Sequence, residues 1–77
     1  MSQAQTLTKA LNALASGTQF TYQKARSAAR ADGNVDWTRT KAANDDFNPE
    51  VDGCESFVMK DGSTAAWMPA SQRYAAR

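Results

Sequence analysis

Cys54 is the single cysteine of a chain that contains no histidine. Together these facts remove His-based proton transfer, Cys–His nucleophiles and zinc sites of the usual four Cys or His ligands. The carboxylates invite a closer look. Asp46, Asn48, Glu50 and Asp52 alternate as calcium-loop ligands do, but the sixth position counted from Asp46 is Val51 instead of Gly, and the twelfth is Phe57 instead of Glu. They read as a solvated acidic loop. Asp45 and Asp46 are adjacent, so on a helix their side chains diverge and do not flank a common bond. None of the four glycines falls in a phosphate-cradling pattern. No enzymatic chemistry, cofactor or metal is therefore expected.

Binding chemistry is better represented. Trp and Arg are the residue types enriched where interfaces concentrate their energy. Trp37 and Trp67 are the large aromatics least needed by a small core, so both are candidates for contact with another protein. If Trp67 lies on the outward face of a hairpin with Val58 and Ala65, the three make a flat apolar patch for a partner or for a second copy of the chain. A duplex DNA reading uses different residues. Thr38, Arg39 and Lys41 would open a recognition helix, with Arg39 as the bidentate reader of guanine. Lys24, Arg26 and Arg30 on the preceding helix, and Lys60 at a wing tip, would meet phosphates. Cys54 itself reads as a small hydrophobe at the start of a strand, its thiol disfavoured from ionising by Asp52 and Glu55.

These residues need elements to hold them. Leu7, Leu11 and Leu14 repeat at four and three residues, which predicts a helix over 3–16 with one apolar stripe and Gly17 at its end. A short extended piece over 17–20 follows. The run from Thr21 to Ala31 predicts a second helix with Ala25, Ala28 and Ala29 on a narrow face and Arg26 and Arg30 on an exposed side. Asp32, Gly33 and Asn34 stop it. Asp36 caps a third helix through Trp37, Thr40 and Ala43 to about Asp46, before Asn48–Pro49 blocks continuation.

The clearest strand signal runs from Glu55 to Met68. Asp61–Gly62 predicts a two-residue hairpin turn, pairing Val58 with Ala65 and Phe57 with Ala66. One face then carries Phe57, Met59, Ala66 and Met68, and meets Leu7, Leu11, Leu14, Phe20 and Phe47 in the core. The other face carries Val58, Ala65 and Trp67. Pro69 ends the second strand, and residues 69–77 read as a frayed tail after an ordered core over 3–68.

The 77 residues allow one small α+β domain of three helices and a C-terminal two-stranded hairpin, an order shared with winged-helix domains. No stretch approaches the apolar length of a membrane span. A lone cysteine and the absence of a basic segment before an apolar run predict a cytoplasmic protein without a signal peptide. The net charge of +1 hides an asymmetry: residues 1–41 carry a net +4 and residues 42–77 a net −3. Six acids in the second half weigh against a broad phosphate footprint, so the sequence favours docking on a partner protein, as an inhibitor, adaptor or small subunit, over DNA binding.

Overall fold

Ser2 and Gln5 start the first helix by capping each other. The Ser2 hydroxyl accepts from the Gln5 N–H at 3.1 Å, and the Gln5 side chain accepts from the Ser2 N–H at 2.9 Å. The computed structural model describes residues 1–15 and 20–77. Within them lie α1 (Gln3–Ala15), α2 (Tyr22–Asp32), α3 (Trp37–Ala43), α4 (Pro49–Asp52), β1 (Phe57–Val58), β2 (Thr64–Met68) and β3 (Arg73–Ala76). The expected helix end at Ser16 and Gly17, and most of the extended piece after it, lie outside the described residues.

Each later helix begins on a side-chain oxygen. Thr21 accepts from the Lys24 N–H, Asp36 from the Arg39 N–H and Asn48 from the Glu50 N–H. Gly33, at φ +77°, closes α2 where the sequence predicts a stop. The third helix is shorter than expected. Asn44 ends it by donating its side-chain amide to the carbonyls of Thr40 and Ser56, at 2.7 and 2.8 Å. The acidic loop also gains structure, because Asn48 as cap and Pro49 at the first helical position favour the single turn of α4.

The strands form an antiparallel sheet in the order β1-β2-β3. Phe57 pairs with Ala65 and Val58 with Thr64, one residue away from the expected register. The turn is the cause. The Gly62 N–H bonds the Met59 carbonyl at 3.0 Å and the Met59 N–H bonds the Ser63 carbonyl at 2.8 Å, so Lys60, Asp61 and Gly62 make a three-residue loop. Of these only Gly62 takes positive φ, at +88°. A two-residue turn would need Asp61 there as well. A one-residue slip moves every side chain to the opposite face. Ala65 and Trp67 consequently face the core side with Phe57 and Met59, while Ala66 and Met68 join Val58 on the outer face.

The expected tail is the third strand. Met68 pairs with Arg73, Trp67 with Tyr74, Ala66 with Ala75 and Ala65 with Ala76. Tyr74 is buried, and its ring stacks on Phe57 at 6.1 Å and meets Trp67 edge-on at 5.1 Å. An apolar sheet face this small requires helix cover, which α1 supplies through Ala4, Leu7 and Leu11, all buried. Leu14 falls at the edge of that stripe, is 48% exposed, and lines a groove between α1 and α2. Ala25 and Ala29 are buried as expected, Ala28 partly so, and Ala43 is exposed, its place taken by Thr40. Phe20 and Phe47 are half-buried at the margin instead of central.

Candidate interaction surface

Trp37 occupies the first position of α3 because Asp36 caps that helix and Gly33 has just ended the previous one. The four residues between bring the indole back over α2. There the guanidinium carbons of Arg26 and Arg30, one turn apart, lie 5.7 and 6.0 Å from its ring centroid. On its inner side the indole meets the buried Phe57 ring edge-on at 5.9 Å. Arg26 also lies over Tyr22, one turn earlier, at 5.8 Å and donates to its hydroxyl at 3.2 Å. Tyr22 in turn touches Phe47 at 5.7 Å. Phe47, Tyr22, Arg26, Trp37 and Arg30 thus form one continuous aromatic and cationic strip, each cation–ring contact worth about 0.5–1 kcal/mol at an exposed site.

Glu55 lies beneath the strip. Its carboxylate is buried, with Oε2 3.5 Å from Arg26 Nε, a pairing by charge that lacks hydrogen-bond geometry. Burial pushes the Glu55 carboxyl up from its ordinary value, and the Arg26 charge partly offsets this. The Glu55 carbonyl accepts the Tyr74 hydroxyl at 2.8 Å, so the support of the strip is anchored to the core. Burial raises the Tyr74 phenol well above the usual tyrosine range, which keeps it a donor. The Cys54 thiol beside Glu55 is buried and likewise raised by desolvation, so it is not poised as a nucleophile.

The structure does not gather the expected protein-binding residues into one patch. Trp37 is half-buried on the strip. Val58 is half-buried on the outer sheet face, and Ala65 is fully buried on the inner one. Trp67, expected outward, is turned inward by the register and packs against Phe20 and Tyr74. Of the DNA candidates, Lys24, Arg30, Thr38, Arg39, Lys41 and Lys60 are exposed, while Arg26 is half-buried. Arg39 is paired with Asp36 at 3.4 Å, as Arg26 is with Glu55. The sequence reading missed Tyr22, Phe47 and Glu55. The spacing of Tyr22, Arg26 and Arg30 at successive turns of one helix was a readable signal for the first of them.

Among the described residues no helix is long and apolar enough to cross a membrane, and no three His, Cys, Asp or Glu side chains converge on a site that could hold a metal. Compared with protein-family models, curated proteins and solved structures, the chain matches none.

Proposed function

We propose that this protein is a non-enzymatic docking module that binds another protein through the strip centred on Trp37. The carrying observation is that Trp37 is held between two arginines and a core phenylalanine before any partner arrives. Tyr, Trp and Arg dominate interface energetics, and side chains already ordered lose less freedom on binding. The internal pairing of Arg26 with Glu55 serves this reading, because it fixes the guanidinium without requiring a phosphate. A reducing, cytoplasmic setting fits the unpaired buried thiol of Cys54.

A winged-helix-like DNA reading draws support from the four-residue joint between α2 and α3 and from the exposed Thr38, Arg39 and Lys41. It is weakened because two of its seven candidates, Arg26 and Arg39, already face carboxylates. Affinity capture from native lysate, with and without nuclease, separates the two. A stoichiometric protein recovered in both cases, and lost on Trp37→Ala with an unchanged circular dichroism spectrum, supports docking. Recovery abolished by nuclease and by Arg39→Glu overturns it in favour of DNA, whose binding also weakens steeply with salt. Sedimentation of the free chain distinguishes the remaining occupant, a second copy on the outer face of Val58, Ala66 and Met68.

A further inference from the structure

Leu14 is 48% exposed beside α2, and it does not stand alone. Two adjoining depressions between α1 and α2 share Ala13, Leu14 and Ala28, and with Ala10 and Ala31 they make one apolar groove. Among its described lining residues only Lys24 and Asp32 are charged, one of each sign. Lys24, Ala28 and Asp32 follow one another at four-residue spacing. They therefore form a single row along α2, about 12 Å long, with Ala28 at its midpoint. Both charges stand at the end of α2 that disfavours them. The Lys24 ammonium lies in the first turn, at the positive end of the helix dipole, and Asp32 is the last helical residue, at the negative end. Asp32 Oδ2 is buried without a hydrogen-bond partner, and no described residue forms an ion pair with it.

We propose that this groove takes the α2 helix of a second copy of the chain, packed antiparallel about a two-fold axis at Ala28. A row with a cation at one end, a methyl group at the centre and an anion at the other is its own complement when reversed. Lys24 of each copy then meets Asp32 of the other, and each pair neutralises two charges that their own helices disfavour. A different partner would have to carry the same charges in reverse order, which a second copy does by construction. Ala28 and Ala31 let the two helices approach closely, and Leu14 loses its remaining exposure against them. A standard interface of roughly 800 Å² per partner would take about a sixth of the 4865 Å² surface, more than a groove between two short helices covers. The dimer is accordingly weak, with Kd between about 1 μM and 1 mM. Tyr22, Arg26 and Arg30 lie on the opposite side of α2, so the docking strip stays open and the inference does not depend on that reading.

Sedimentation equilibrium of the intact chain, at concentrations up to about 1 mM, tests the dimer. Lys24→Glu and Asp32→Lys should each weaken it by about tenfold or more, since the symmetry turns one substitution into two like-charge contacts. Neither should lower the urea midpoint, because each new charge suits its end of the helix. Asp32→Asn, which removes the charge and keeps the shape, should weaken the dimer in the same direction. The decisive variant carries Lys24→Glu and Asp32→Lys together. It has the net charge of the parent, and with both signs exchanged it should regain the parent's affinity. An equimolar mixture of the two single variants should also associate, as one chain then presents two carboxylates and the other two ammoniums. A chain still monomeric at about 1 mM would overturn the inference. So would a dimer indifferent to both reversals, as one through Val58, Ala66 and Met68 would be, or a double reversal that recovers nothing.

Discussion

Asn12 and Tyr74, 62 residues apart, are joined by two hydrogen bonds: the Tyr74 N–H donates to Asn12 Oδ1 at 2.9 Å, and Asn12 Nδ2 donates to the Tyr74 carbonyl at 3.1 Å. A helix side-chain amide thereby stands where the peptide of a fourth strand would pair. Thr40 does the same at the opposite edge, its hydroxyl accepting from the Val58 N–H at 2.9 Å and donating to the Val58 carbonyl at 3.3 Å. The Val58 carbonyl also takes the Asp36 N–H at 2.8 Å. Open sheet edges template association; here Asn12 covers the β3 edge, and Thr40 covers the β1 edge together with the backbone of residues 34–36, which bridges Val35 to Met59.

Asn12→Ala leaves the N–H and carbonyl of Tyr74 unpaired beside a buried ring. The expected cost is about 1–3 kcal/mol. Urea denaturation should show a lower midpoint at unchanged slope, since the surface exposed on unfolding is the same. Reopening the edge should also make the variant self-associate with concentration, which light scattering would detect.

Thr40→Val tests the other edge with almost no change of shape. Thr40 is fully buried, so the substitution removes a hydroxyl and nothing else. A loss of about 1–3 kcal/mol is expected, because the half-buried Val58 keeps an N–H that has lost its side-chain acceptor. Thr40→Ser, which retains the hydroxyl, should lose less. Should Thr40→Val melt like the parent, the edge bond contributes nothing.

The first three helices were legible in the sequence because their signals are local, whereas the single turn of α4 was not. Asp36, Gly33 and the Ala25–Ala29 face act within a turn or two of their own positions, and each performs the expected task. The sheet was legible only as a hairpin around Asp61–Gly62. One extra loop residue reversed the faces, so Trp67 went inward and Ala65 entered the core, and the same slip dissolved the expected patch of Val58, Ala65 and Trp67. β3 was missed because RYAA is a weak strand signal, stabilised by Asn12 from the far end of the chain and by burial of Tyr74. Of the candidate surface, the α2 half was readable from spacing. The seating of Trp37 on Arg26 and Arg30 was not, since it depends on how two helices cross.

Gly62→Val isolates backbone strain. Nothing stands within 4 Å of where a Cβ would be, so the substitution meets no neighbour and acts only through φ +88°. The expected cost is about 1–2 kcal/mol. For a domain of this size each kcal/mol lowers Tm by about 4–8 °C, readable by calorimetry. Gly62→Asn should cost less, because Asn tolerates the left-handed region.

Two carboxylates should give stability opposite slopes with pH. Asp61 is held below its ordinary value of 3.8, first by the Ser63 hydroxyl and then by the Gln3 N–H of α1, which donates to Oδ2 at 2.9 Å. The unfolded chain therefore binds more protons, and this contribution is present above 3.8 and lost as pH falls through the lower folded value. Glu55 is raised above 4.5, so the folded chain binds more protons and stability declines as pH rises from 4.5 through the folded value. Relative to the parent, Asp61→Asn should be least harmful in acid, and Glu55→Gln should gain ground as pH rises through that window. Guanidinium midpoints measured across the acid range check both signs.

The two arginines on Trp37 should separate stability from binding. Arg30 is exposed and its guanidinium lies over the indole, with no ion pair among the described residues, so Arg30→Ala should cost no more than about 1 kcal/mol. Arg26→Ala removes the charge facing a carboxylate that is 7% exposed. Breaking a fully buried pair costs about 3–5 kcal/mol and a surface pair at most about 1. With the Arg26 side chain 37% exposed, about 1–3 kcal/mol is expected. The double variant Arg26→Ala with Glu55→Gln should recover much of that loss, since no buried charge is left alone; the double-mutant cycle measures the coupling directly. Partner capture reads the other quantity. If the strip docks, Arg30→Ala should weaken capture by about fivefold or more while the melting curve barely moves. An Arg30→Ala chain that captures its partner undiminished would remove this end of the strip from the interface and leave Trp37 and Tyr22 to carry it.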